Sequence, residues 1–176
     1  MKYIEPNPGI DGWMNGTELQ WLFEKASEME KIVEVGSWMG KSTHALLSGC
    51  KGFVYAVDHF KGNASEIEGA HIRAKTEDIH AIFQRNVGYF DNLVTMKMDS
   101  REAAKHFKEK EIDMVFLDGD HEYSEVKADI EAWFPKCRKL FCGHDMRQQG
   151  VPQALVDCKI EKVYQIPNTS IWSIEI

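Results

Sequence analysis

No run of apolar residues in this 176-residue chain reaches the ~18 that a membrane-spanning helix needs. The opening MKYIEPNPGIDGW carries two prolines, two acids and no apolar stretch of the kind a secretion signal requires. A cytoplasmic location, with no membrane partner, is therefore expected. Basic charge is also short: 21 Lys and Arg face 28 Asp and Glu, for a formal net charge of −7. General nucleic-acid binding is excluded on that ground, because phosphates call for a basic surface. The four cysteines, Cys50, Cys137, Cys142 and Cys158, form no C-x-x-C pair, which argues against a zinc knuckle or a redox dithiol. Reduced, mostly buried thiols are expected instead. Internal repeats and low-complexity segments are absent too.

Two phosphate-binding motifs are also missing, although EVGSWMGKST (34–43) comes close to both. A phosphate loop needs four residues between its glycines; here Gly36 and Gly40 are separated by three, so Lys41-Ser42 falls out of register. The dinucleotide fingerprint G-x-G-x-x-G fails because Ser37 and Trp38 occupy the place of its second glycine. A bulky Trp38 fits a ligand without a diphosphate. The alternative is a tight strand-to-helix turn that needs glycine for geometry only.

What is present is alternation. Leu19, Leu22, Phe23, Ala26 and Met29 predict a helix over about 17–29, with Thr17-x-x-Gln20 as a capping box. Strands are predicted at 31–38, 53–60, 93–98, 112–118 and 139–145. Helices are predicted from Gly40 through Leu47, from a Thr76 cap along Ile79, Phe83 and Val87, around Ala103 to Phe107, along Val126 to Trp133, and over about 152–158. KVYQI and SIWSIEI close the chain as a hairpin. Apolar strands alternating with helices imply parallel pairing in a covered sheet. The expected fold is one α/β domain over 1–176: an arm at 1–16, then a three-layer α/β/α Rossmann-like core at 17–176. Its sheet is mostly parallel, with seven strands and a C-terminal antiparallel hairpin.

In such sheets ligands bind outside the carboxyl ends of the strands. Those ends carry Glu34-x-Gly36-Ser37, Asp58-His59, Asp99-Ser100, Asp118-Gly119-Asp120-His121 and Gly143-His144-Asp145. Every one has an acid at or beside it. Asp58 ends the second strand, where an acid can accept hydrogen bonds from both hydroxyls of a ribose.

VEVGSWMGKST, VYAVD, Asp99-Ser100, VFLDGDHEYSEVKADIEAW and CGHD, with Gly12-Trp13, span most of the chain. In combination they resemble the class I S-adenosylmethionine-dependent methyltransferases, and within them the small branch of macrocin-type and cephalosporin-associated O-methyltransferases. The resemblance implies S-adenosyl-L-methionine as cofactor and assigns roles to individual residues. Glu34 would orient the glycine turn or meet the methionine amino group, and Gly36 would let the backbone approach the cofactor. Ser37 belongs to the same cofactor turn, and Trp38 and Ser42 would line the methionine end. Asp58 would hold the ribose, Asp99 and Ser100 would lie near the adenine, and Asp118 would lie near the sulfonium and the acceptor.

Asp118, His144 and Asp145 also form a candidate site for a divalent cation. Oxygen ligands suit Mg²⁺, and the histidine shifts the preference toward Mn²⁺, Fe²⁺ or Zn²⁺. His121 or His144 is alternatively a base that deprotonates an acceptor hydroxyl. Asp120 and His121 have a structural alternative, as caps for the helix near Ser124. The expected acceptor is a small polar molecule, with residues 61–75, His59 and the arm around Trp13 as a candidate lid. A second subunit completing the pocket would make the protein a homo-oligomer. Two other functions fit parts of the pattern. GDH (119–121) and GHD (143–145) suit a phosphoesterase-like metal-dependent hydrolase, and the nucleoside pocket alone suits a non-catalytic binding module.

Overall fold

The protein is described by a computed structural model covering residues 1–62 and 70–176. Part of the candidate lid, 63–69, lies outside the described residues. The elements run α1 Gly16–Ala26, β1 Lys31–Val35, α2 Lys41–Gly49, β2 Phe53–Val57, a 3-10 helix Ala70–Lys75, α3 Ile79–Val87 and β3 Leu93–Met96. They continue α4 Ser100–Ala104, β4 Ile112–Leu117, α5 Tyr123–Trp133, β5 Cys137–Gly143, α6 Gly150–Asp157, β6 Tyr164–Gln165 and β7 Trp172–Glu175.

The seven strands lie in the order β3-β2-β1-β4-β5-β7-β6. β1 to β5 are mutually parallel, while β7 runs antiparallel to both β5 and β6. This is the expected doubly wound sheet. The C-terminal hairpin enters it with β7 inside and β6, only two residues long, at the edge.

Alternate side chains of the central strands feed two cores. Ile32, Met114 and Phe116 pack with Leu19 and Leu22 of α1, Leu46 of α2 and Phe83 of α3 on one face. Val33, Val35, Val115 and Phe141 pack with Ala103 of α4, Ile130 and Trp133 of α5 and Leu155 of α6 on the other. Burying each large apolar side chain contributes about 1.5–3 kcal/mol. Cys137 and Cys142 are buried, Cys50 and Cys158 partly so, and all four are free thiols.

Two caps differ from expectation. The cap of α1 is Asn15, whose side chain accepts from the N–H groups of Thr17 and Glu18, while Glu18 Oε2 accepts from Asn15 N at 2.9 Å. Thr17 therefore lies inside the helix, and Gln20 is drawn to the arm by accepting from Tyr3 N at 2.8 Å. The cap of α3 is Asp78 rather than Thr76: Asp78 Oδ1 accepts from Ala81 N at 3.0 Å, while the Thr76 hydroxyl turns back to the Arg73 carbonyl.

At the amino end of the sheet, the side chain of Asp113 is fully buried. It accepts from Glu30 N (3.0 Å), Lys31 N (3.1 Å), Arg138 Nε (2.8 Å) and Lys139 Nζ (2.9 Å). Burial alone would raise its pKa; these donors outweigh that and hold it well below the usual carboxylate range. One carboxylate thus fastens the starts of β1, β4 and β5.

Candidate active site

The order 3-2-1-4-5 reverses direction between β1 and β4, and the crevice opens there. It is a cleft of about 1040 Å³ lined by the residues following all five parallel strands and by Asp11 to Met14 of the arm. Gly36, Ser37, Trp38, Ser42, Asp58, Asp99, Ser100, Asp118, His121, His144 and Asp145 all line it. The arm is anchored by the buried Tyr3, Ile10 and Met14, and it holds Trp13 with its ring 6.0 Å from that of Trp38.

Glu34 is the predicted residue that does not line the cleft. It is fully buried, and its oxygens accept from Ser42 Oγ (2.6 Å) and Thr43 Oγ1 (2.5 Å). It therefore fixes β1 to the first turn of α2, which is the orienting role, and the Ser42 hydroxyl is spent on it. Burial raises the Glu34 carboxyl to about 7, against the pull of those two hydroxyls.

Gly36 has φ +85°, and a Cβ there would lie 2.2 Å from the Asp118 carbonyl oxygen. What demands glycine is therefore the backbone after β4, close enough to bring the two strand ends together. Trp38, at φ 45°, continues the turn in the left-handed region.

Asp58 closes this turn. Its Oδ2 accepts from Ser37 N (3.0 Å) and Trp38 N (2.8 Å), and its Oδ1 accepts from Phe60 N (2.5 Å). An ionised carboxylate offers about four acceptor positions. With three filled, Asp58 has room for one ribose hydroxyl rather than the two expected of it. The same contacts make the turn a poor cradle for a phosphate, because the amides of Ser37 and Trp38 already donate to a negative charge.

Asp99 caps α4 and pairs with Arg101 at 3.0 Å. Ser100 Oγ donates to Asp129 Oδ1 (2.6 Å) and accepts from Trp133 Nε1 (2.7 Å). Asp129 also lines the cleft, and burial raises its carboxyl to about 6 against the Ser100 hydrogen bond. Asp120 accepts from Glu122 N at 2.9 Å, a local turn, and Glu122 rather than Asp120 or His121 is the cap of α5.

Asp118, His144 and Asp145 meet at the ends of β4 and β5. One ligand atom from each lies within 4.8 Å of the others. His144 Nδ1 is 3.5 Å from Asp118 Oδ1 and 3.4 Å from Asp145 Oδ1, while Nε2 is 3.1 Å from Glu18 Oε1. Burial pushes the His144 pKa down, but the neighbouring carboxylate of Asp145, the Glu18 contact and the charge of Asp118 outweigh it and raise the pKa to about 10. Burial of Glu18 is likewise outweighed by hydrogen bonds from His144, Ser170 and Asn15, which hold it at about 2. Burial raises Asp118, and the nearby acids add to the rise while His144 opposes it. Engaged at both nitrogens, His144 is poorly placed to act as a base.

Glu18 and Asp129 are the residues the sequence reading missed. Each sits within a helix. The only local sign of Glu18 is its place three residues after Asn15.

A family model for a methyltransferase domain matches residues 33–140. "Uncharacterized protein y4gI" of Sinorhizobium fredii is 29% identical over 140 residues, 74% of this chain, and the chain spans only 15% of that relative's length. Among solved structures, the O-methyltransferase NovP aligns with a TM-score of 0.67 at 15% identity, over 89% of this chain and 78% of NovP. An O-methyltransferase from Bacillus cereus in complex with SAH aligns with a TM-score of 0.65 at 16% identity, over 93% and 83%. The SAH-bound Podospora anserina methyltransferase PaMTH1 aligns with a TM-score of 0.62 at 12% identity, over 92% and 78%. These likenesses cover the fold. Among the described residues no helix is long and apolar enough to cross a membrane. With well over half its length matched and the class I architecture in place, the chain belongs to the methyltransferase-domain family.

Proposed function

We propose that this chain methylates a hydroxyl oxygen of a small polar acceptor, using S-adenosylmethionine and a divalent cation held by Asp118, His144 and Asp145. The observation that carries the proposal is the meeting of those three side chains on the wall of the cleft that also holds the Gly36 turn and Asp58. The donor set fits a cation: two carboxylate oxygens and an imidazole nitrogen lie within 4.8 Å of one another. The cleft also fits the cofactor. It is acidic, which suits a sulfonium, and its turn amides are closed to phosphate. At about 1040 Å³ it reaches the top of the roughly 300–1,000 Å³ range of single-ligand pockets, leaving room for an acceptor beside a nucleoside.

S-adenosylmethionine supplies an already activated methyl group. A cation supplies a Lewis acid that lowers the pKa of an acceptor hydroxyl. The chain's own part is alignment and proton removal. Asp58 accepts one ribose hydroxyl through its remaining Oδ1 position. Asp129 and the Asp99-Ser100 turn border the adenine end. His121, on the cleft wall, takes the acceptor proton.

Calorimetric titration with S-adenosylhomocysteine, with Mn²⁺ or Mg²⁺ and again with chelator, tests the reading. Saturable binding, and cation-dependent turnover on a panel of small hydroxyl acceptors, are expected. Absence of binding at near-millimolar nucleoside would refute the cofactor assignment. Turnover indifferent to chelator would remove the cation.

A further inference from the structure

We propose that Glu18 is a positioning residue for the cation site, holding the His144 ring by Nε2 so that Nδ1 faces Asp118 and Asp145. The inference rests on the cation reading above and adds a residue from the far side of the sequence.

Glu18 lies on α1, 126 positions before His144, and is 3% exposed. Both carboxylate oxygens are pinned by backbone. Oε2 accepts from Asn15 N at 2.9 Å, and Oε1 accepts from Ser170 N at 2.9 Å. Oε1 also meets His144 Nε2 at 3.1 Å. An ionised carboxylate only accepts, so the ring hydrogen on that side belongs to Nε2. On the other side, Nδ1 stands 3.5 and 3.4 Å from its two carboxylate neighbours. Those separations exceed the about 2.7–2.9 Å of a charge-assisted hydrogen bond. They suit donors gathered around a shared ion better than a directly bonded pair. A carboxylate behind a ligating imidazole fixes its tautomer and orientation and raises its basicity. With nitrogen so prepared between two oxygens, the site should favour Mn²⁺ or Zn²⁺ over Mg²⁺.

The test compares wild type, E18A, E18Q and N15A by calorimetric titration with MnCl₂ and with MgCl₂, folding being checked by circular dichroism. Wild type is expected to bind Mn²⁺ more tightly than Mg²⁺. E18A should weaken Mn²⁺ binding about 10–100-fold. E18Q keeps an acceptor oxygen but loses the charge, so it should fall between the two, several-fold weaker than wild type. N15A breaks the helix cap and leaves the His144 contact, so it should lower the unfolding midpoint without moving the Mn²⁺ Kd. If wild type binds neither ion, the cation reading falls and this inference with it. If wild type binds Mn²⁺ and E18A matches it, only the role of Glu18 is overturned. E18Q equal to wild type overturns it even where E18A fails to fold.

Discussion

Gly36 and Asp118 touch backbone to backbone across the crevice, so that a single carbon added to Gly36 would sit 2.2 Å from the Asp118 carbonyl oxygen. The obstacle is main chain, which cannot swing aside as a side chain does. Gly36→Ala must therefore part β1 from β4 or flip the turn, in addition to the strain of φ +85°. A loss of about 2–4 kcal/mol in urea unfolding is expected, with nucleoside binding abolished. Wild-type stability in this variant would contradict the close approach.

Glu34 makes stability depend on pH. Its folded pKa of about 7 lies above its ordinary 4.5, so the native state holds more protons than the unfolded state between those values. The contribution is fully present below about 4.5 and is lost as pH rises through about 7. In Glu34→Gln a hydroxyl can turn to accept from the amide. The variant should show a flatter unfolding midpoint between pH 5 and 8 than wild type. Parallel curves would show that Glu34 does not titrate there.

Asp113→Ala strips four donors of one buried acceptor at the end of the sheet away from the cleft. Arg138 and Lys139 are about half exposed and rehydrate, so the cost of about 1–3 kcal/mol comes mainly from the backbone N–H groups of Glu30 and Lys31 left without their acceptor. The unfolding midpoint should fall accordingly, while the Kd for S-adenosylhomocysteine, measured where the variant is folded, should stay within about twofold.

Asp58→Asn tests the turn itself. An amide has one oxygen to offer where the acid has two, so at least one backbone N–H among Ser37, Trp38 and Phe60 loses its acceptor. The expected cost is about 1–3 kcal/mol, with cofactor affinity down about tenfold or more as Trp38 relaxes. Unchanged affinity would confine Asp58 to a structural role.

The sheet was legible because its information is local. Runs such as IDMVFL and FVYAV are nearly all apolar, and the acids that follow them mark the strand ends. The strands were read too long at that end: β1 stops at Val35 and β2 at Val57, where the chain leaves the ladder for the cleft. Partnerships were not legible. The cap of α1 was read at Thr17; the structure has Asn15, whose partner Glu18 also serves Ser170 and His144, far along the chain. Asp58 was read at the end of the second strand, where it lies, yet its amide partners depend on how the Gly36 turn folds back. Asp129, midway along a helix, has the spacing of a solvated residue; only the Trp133–Ser100 chain shows that it is held in a half-buried network.

The insertion of β7 between β5 and β6 sets an order of assembly. Until residues 172–175 are made, β5 stands as an open edge, with Leu140, Phe141 and Cys142 offering unpaired backbone to other chains. The same late strand brings Trp172 Nε1 to the His144 carbonyl, and the turn before it brings Ser170 N to Glu18. The seat of His144 therefore depends on β7 and the turn before it as well as on β5. Shortening the chain by those few residues would therefore leave a sticky sheet whose nucleoside end is built and whose acidic end is not.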